Sequence, residues 1–171
     1  CIVEDSCEVG LIAGLEGRCF IDSCHFRRLG RQAIEVREMG QVEVRRSNFQ
    51  QVWQGVCAYA GARSVVMEDV LVDGAFNEGV LASGDFKNLE TQELERLEPG
   101  KGKASSRRKD WKDGAEASKL AHSRAKRLGW NGRLTLTMSK CTIRNARGLA
   151  CSIDEGCAAV LTCCSLENTL K

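Results

Sequence analysis

Cys19-Phe-Ile-Asp-Ser-Cys24-His-Phe26 and, 42 − 19 = 23 residues on, Val42-Glu-Val-Arg-Arg-Ser47-Asn-Phe49 follow one pattern. An apolar residue, a gap of one, a second apolar residue, a gap of two, a small residue, a gap of one and a third apolar residue succeed one another. The pattern returns as Val65-x-Met67-x-x-Val70-x-Val72, as Leu136-x-Met138-x-x-Cys141-x-Ile143 and as Ala159-x-Leu161-x-x-Cys164-x-Leu166. The steps between the small residues are 24 − 1 = 23, 47 − 24 = 23, 70 − 47 = 23 and 164 − 141 = 23. Alternation with a period of two marks a strand, and the two-residue interruption re-phases it as a bend would.

A second short apolar segment follows in each copy. It reads Gly10-Leu-Ile-Ala13, Ala33-Ile-Glu-Val36, Gly55-Val-Cys-Ala58, Gly79-Val-Leu-Ala82 and Gly148-Leu-Ala-Cys151, and predicts a further strand. Glycine then closes the turn, at Gly17, Gly40, Gly61, Gly132 and Gly156, where a tight corner favours a residue without a side chain. Two or three short strands per 23 residues describe a coil, and stacked coils pair each strand in parallel with its counterpart one period away, about 4.8 Å along the axis. The L-x-x-L-x-L-x-x-N signature of leucine-rich repeats, the rival at this period, does not fit these units. The prediction is an all-β, right-handed parallel β-helix of about six 23-residue coils.

On these residues, Val42 to Phe49 followed by Gly55 to Ala58 above all, the chain resembles right-handed parallel β-helix rungs of the pectate-lyase-like superfamily. The Cys- and Ser-rich copies are similar, more narrowly, to the carbohydrate-binding and sugar-hydrolase-type β-helix domains of eukaryotic F-box and other multidomain proteins. The resemblance covers 171 − 48 = 123 residues and lies in the repeat grammar. It implies a carbohydrate-related role without supplying a catalytic motif.

Between Val70 and Cys141 the step is 71, or one period plus 48. Residues 85–132 lack the pattern, and 20 of those 48 are charged, 12 of them Lys or Arg and 8 Asp or Glu. They read as an insertion that divides one β-helix domain into residues 1–84 and 133–171. Its first part, Asp85 to Glu98, has five acids against two bases, and Lys101 to Arg127 has ten bases against three acids. Leu89, Leu94 and Leu97 fit a short helix that Pro99-Gly100 would stop. Asp113 and Glu116 open a second, with Gly129 as its C-cap. The Gly-, Ser- and base-rich stretch from Lys101 to Asp110 between them predicts a flexible loop.

The chemistry is sparse. Ten cysteines without a C-x-x-C motif, several of them on the period, suit small core residues better than a zinc site or a disulfide framework. Unpaired thiols in that number point to the cytosol or nucleus. A lyase or hydrolase on this architecture would need carboxylates converging from neighbouring coils. Outward positions instead read Asp22, Arg45, Glu68 and, beside them, Arg46, Asp69, Lys140, so charge alternates in sign up the stack. His25 falls in a polar surface column with Asn48 and Thr142, and His122 has no Cys or carboxylate at i±4. Only Arg107, Arg108 and Lys109, followed by Trp111, join a basic run to an aromatic that suits an anionic partner.

A hydrophobic content of 43% excludes a disordered chain. A net charge of +2, from 25 basic and 23 acidic residues, gives the whole molecule no drive toward nucleic acid, and no apolar run reaches the roughly 18 residues of a membrane span. The sequence therefore predicts a non-enzymatic binding or scaffold domain, a monomeric part of a larger multidomain chain, which recognises a protein or glycan without a cofactor. The alternative is a pectate-lyase-like polysaccharide lyase or hydrolase whose catalytic residues lie partly outside this stretch.

Overall fold

The structure is a computed structural model, and it describes residues 1–59, 61–83, 133–154 and 156–168. In chain order the strands are β1 (Ile2–Glu4), β2 (Leu11–Ala13), β3 (Arg18–Asp22), β4 (His25–Val36), β5 (Gln41–Arg45), β6 (Asn48–Ala58) and β7 (Ser64–Glu68). They continue as β8 (Leu71–Asp73), β9 (Val80–Ala82), β10 (Leu134–Ser139), β11 (Thr142–Ala146), β12 (Cys151–Ile153), β13 (Cys157–Thr162) and β14 (Ser165–Asn168). Each pairing between strands is parallel, and there is no helix among the described residues.

One sheet stacks β3, β5, β7, β10 and β13; the other stacks β1, β4, β6, β8, β11 and β14, with β2, β9 and β12 beside them. The architecture is therefore a parallel β-solenoid. It makes about five turns, fewer than the six coils expected, because the five steps from β1 to β14 join six rungs whose first and last belong to incomplete coils.

The bends explain why the pattern slips phase where it does. Ser23, Arg46, Asp69, Lys140 and Cys163 occupy the same corner of successive coils, and all have left-handed φ, from 44° to 53°. That conformation costs a residue with a Cβ about 1–2 kcal/mol. At four of the five the amide donates to the next coil: Ser23 to Arg45, Arg46 to Glu68, Asp69 to Ser139 and Lys140 to Thr162, at 3.0–3.1 Å. The residue that follows is the repeating small one. Cys24, Ser47, Cys141 and Cys164 each turn a thiol or hydroxyl back to the carbonyl two residues earlier, at 3.3, 2.7, 3.3 and 3.4 Å. Ser47 also accepts from the Cys24 amide, which suits a hydroxyl in a column otherwise filled by Cys and Val. A second left-handed bend recurs at Asp5, Arg28, Gln51, Gly74 and Asn145.

The glycine corners differ from expectation. Gly61 and Gly156 do have positive φ, but in the two preceding coils Leu15, Glu16, Glu38 and Met39 take it instead. Gly40 is needed there for space, since a Cβ would collide with the carbonyl of Ala13. Gly132 lies outside the described residues. The last copy of the second apolar segment is also shifted: Val80 pairs with Cys151 and Ala82 with Ile153, so the strand is β12 and Gly148 is not the equivalent of Gly79. In the two middle coils this segment is not separate, because β4 and β6 run on through their bend.

Inward side chains form ladders along the axis. Phe49 is fully buried between Phe26 and Val72, and the rings of Phe26 and Phe49 stack with centroids 5.0 Å apart. Val65 pairs directly with Leu136 and Val80 with Cys151, steps of 136 − 65 = 71 and 151 − 80 = 71, so the ladders continue from one side of the sequence interruption to the other. The expected helices and flexible loop of residues 85–132 lie outside the described residues.

Phe49→Ala removes the middle of the longest aromatic contact and should lower stability by about 3–5 kcal/mol in a denaturant titration; a midpoint equal to wild type would refute this register. Replacing residues 83–133 with the turn Arg37-Glu-Met-Gly40 should preserve the β-type circular dichroism and a cooperative melt, since loop closure changes only slowly with loop length. Loss of the folded signal would contradict the ladder continuity.

Candidate functional site

Parallel stacking brings residues one period apart to the same spot on the surface, so a binding face appears as a column of side chains. Many of the described acids and bases of the outer faces pair with one another, most of them between neighbouring coils. Glu4 pairs with Arg27 and Arg28, Asp5 with Arg28 at 2.6 Å and Glu8 with Arg31 at 3.4 Å. Asp22 pairs with Arg46, Arg45 with Glu43 and Glu68, and Asp73 with Arg144 at 2.8 Å. The hydrogen bond from Arg27 holds the Glu4 carboxyl below its ordinary pKa, and that from Arg28 does the same for Asp5. Asp73 is lowered first by the Asn145 amide, at 2.7 Å, and then by Arg144. The contribution of these pairs to stability is present at neutral pH and is lost as pH falls through the lowered pKa values, and solvent screening keeps it small. The alternating charge ladder expected from the sequence is thus formed.

His25 shares a column with Asn48 and Thr142 as expected, but Ile2 and Leu71 stand in it too, so the column is mixed and not polar throughout. With Phe26, Arg27 and Gln50 it lines a shallow open depression of about 230 Å³. The ten cysteines are thiols, not joined in disulfides. Burial pushes the Cys141 and Cys151 thiols up to about 11, which leaves them protonated at neutral pH and poor nucleophiles, as core residues should be. Among the described residues no group of three or more His, Cys, Asp and Glu is placed to hold a metal ion. Arg107, Arg108, Lys109, Trp111 and His122 lie outside the described residues.

The outward column that remains unexplained by internal pairing follows the second bend. Between Val52 and Gln54 the sheet has a bulge, so that the single residue Trp53 stands against Gly30 and Arg31 in the preceding coil. In the next coil the Phe76 amide donates to Val52 and the Asn77 amide to Trp53, and in the one after, the Arg147 amide donates to Ala75. Trp53, Phe76 and Arg147 therefore occupy one outward strip across three successive coils. Trp53 is 48% and Phe76 42% exposed, while the Arg147 guanidinium lies over the Phe76 ring, 4.7 Å from its centroid. Gly30 has no side chain to cover the indole from the other side.

The strip has a firm base. Gln32 and Gln54 are buried beneath it, the Gln32 amide donating to Gln54 Oε1 at 3.0 Å and to the Tyr59 hydroxyl at 2.9 Å, and the Gln54 amide donating to Glu78 at 2.5 Å. Sequence reasoning passed over all of these residues because it followed the apolar ladder. The signal was present in the spacing: 76 − 53 = 23 and 147 − 76 = 71, the same steps as the core columns.

No family model, no curated protein and no solved structure matches this chain.

Proposed function

We propose that this chain is a non-enzymatic β-helix binding or scaffold domain, of the pectate-lyase-like type, that recognises a protein or glycan partner from within a larger multidomain protein. A reducing compartment, cytosol or nucleus, suits thiols not joined in disulfides. The observation that carries the reading is the strip of Trp53, Phe76 and Arg147, large side chains left exposed on a rigid stack. Trp and Arg are among the residue types that most often dominate binding energy; here Trp53 stands on β6, and Phe76 and Arg147 stand in bends whose amides bond to the preceding coil. A lyase or hydrolase would instead use carboxylates set against one another from adjacent coils. Among the described residues Glu4, Asp5, Asp22 and Asp73 each face an arginine of an adjacent coil.

Immobilised protein should retain members of a combined peptide and oligosaccharide array saturably, and Trp53→Ala should weaken that binding at least tenfold while leaving the circular dichroism unchanged. Incubation with pectic, alginate and hyaluronan substrates plus calcium should release no product. Chain cleavage that an Asp or Glu substitution abolishes would overturn the proposal.

A further inference from the structure

The geometry points to a carboxylate-bearing peptide as the ligand of the Trp53–Phe76–Arg147 strip, its acidic group held by Arg147 and a neighbouring bulky apolar side chain laid against Trp53. The inference rests on the domain being a binding module and adds which chemistry it selects.

Arg147 carries the argument. Arg27, Arg28, Arg31, Arg37, Arg45, Arg46 and Arg144 each have a carboxylate within 4 Å; Arg147, like Arg18 and Arg63, makes no ion pair among the described residues, and of these three it is the one laid over an aromatic ring. Its guanidinium lies over the Phe76 ring, 4.7 Å from the centroid. A guanidinium placed over a ring has its position set in advance while its N–H donors stay available to a ligand. That is the arrangement that receives a carboxylate through two parallel hydrogen bonds with little further loss of freedom. The acids nearest the strip do not compete: Asp73 is taken by Arg144 and Asn145, and Glu78 accepts from Gln54. Among the described residues the strip is thus a positive group without a counter-charge beside two exposed aromatics.

Spacing selects the form of the ligand. Arg147 and Trp53 are two coils apart, about 10 Å along the axis. An extended peptide rises about 3.3 Å per residue, so an acidic residue and an apolar one two or three positions away reach both ends of the strip at once. At the adjoining bend of the same two end coils Gln51 and Asn145 are exposed, and the Gln51 amide can meet a peptide backbone.

A phage-displayed random heptapeptide library selected on the wild-type chain, with counter-selection on Trp53→Ala/Arg147→Gln, tests this. Peptides carrying Asp or Glu two or three positions from Trp, Phe or Leu should be enriched. An enriched peptide should lose at least tenfold in affinity when its acid becomes Gln, and again with Arg147→Lys, which keeps the charge but not the planar fork. Enrichment without acidic residues, or binding indifferent to Arg147→Gln, overturns the inference. Retention of array oligosaccharides that depends on Trp53, with no peptide enriched, overturns it while sparing the binding reading. Absence of any Trp53-dependent ligand among both peptides and oligosaccharides overturns both.

Discussion

The fold depends on one repeated hydrogen-bonding constraint: the backbone of each coil bonds to that of the next in parallel register, and it does so around the corner as well as along the strands. At the first bend the left-handed residue gives its amide to the coil above, as Arg46 does to Glu68, and the carbonyl after it accepts from that same coil, as that of Ser47 does from Leu71. A backbone group left unpaired inside such a stack would cost about 1–3 kcal/mol, so the corner has to keep step with the strands. That requirement tolerates Ser, Arg, Asp, Lys and Cys in a conformation that would ordinarily be left to glycine. It also fixes the inward columns, because a chain held in register by its backbone can only place Phe49 between Phe26 and Val72.

The same constraint shapes the surface. Side chains one coil apart stand about 4.8 Å from one another, close enough that like charges would repel and unlike charges pair. Most of the described outer face is resolved in that way, by Arg against Asp or Glu. Beside these pairs, the bulge at Trp53 sets an exposed indole against Gly30 and Arg31 of the preceding coil, and Phe76 and Arg147 extend the strip. A solenoid of this kind makes a binding site without a cavity, by repeating a row, and its stiffness comes from the buried Gln32, Gln54 and Tyr59 network beneath.

Much of this was legible in the sequence, and the limits have physical causes. The V-x-V-x-x-C-x-F grammar gave strand, bend and strand because burial imposes alternation, and the corner shows up as a missed beat. What a missed beat does not carry is backbone conformation, so polar residues such as Arg46 and Lys140 could not be recognised as left-handed while glycines attracted the prediction. The local bulge was hidden because it shortens one coil by one residue and is made good in the next: Gln32 to Gln54 is 22 residues and Gln54 to Glu78 is 24. The shifted register of β12 arose likewise from matching Gly148 to Gly79 by residue type, where the backbone pairs Val80 with Cys151. The exposed strip obeyed the period too, but an outward column has no hydrophobicity pattern of its own to announce it.

The most direct measurement of the central claim is the set of interstrand backbone NOEs of Thr137 in the isotope-labelled protein. The stack places this residue between Val66 and Val160, in steps of 137 − 66 = 71 and 160 − 137 = 23. Cross-strand contacts from Thr137 to the neighbourhood of both residues, in the parallel pattern, are the predicted result. Contacts to only one of them, an antiparallel pattern, or contacts displaced by one residue would contradict in-register stacking across the interruption.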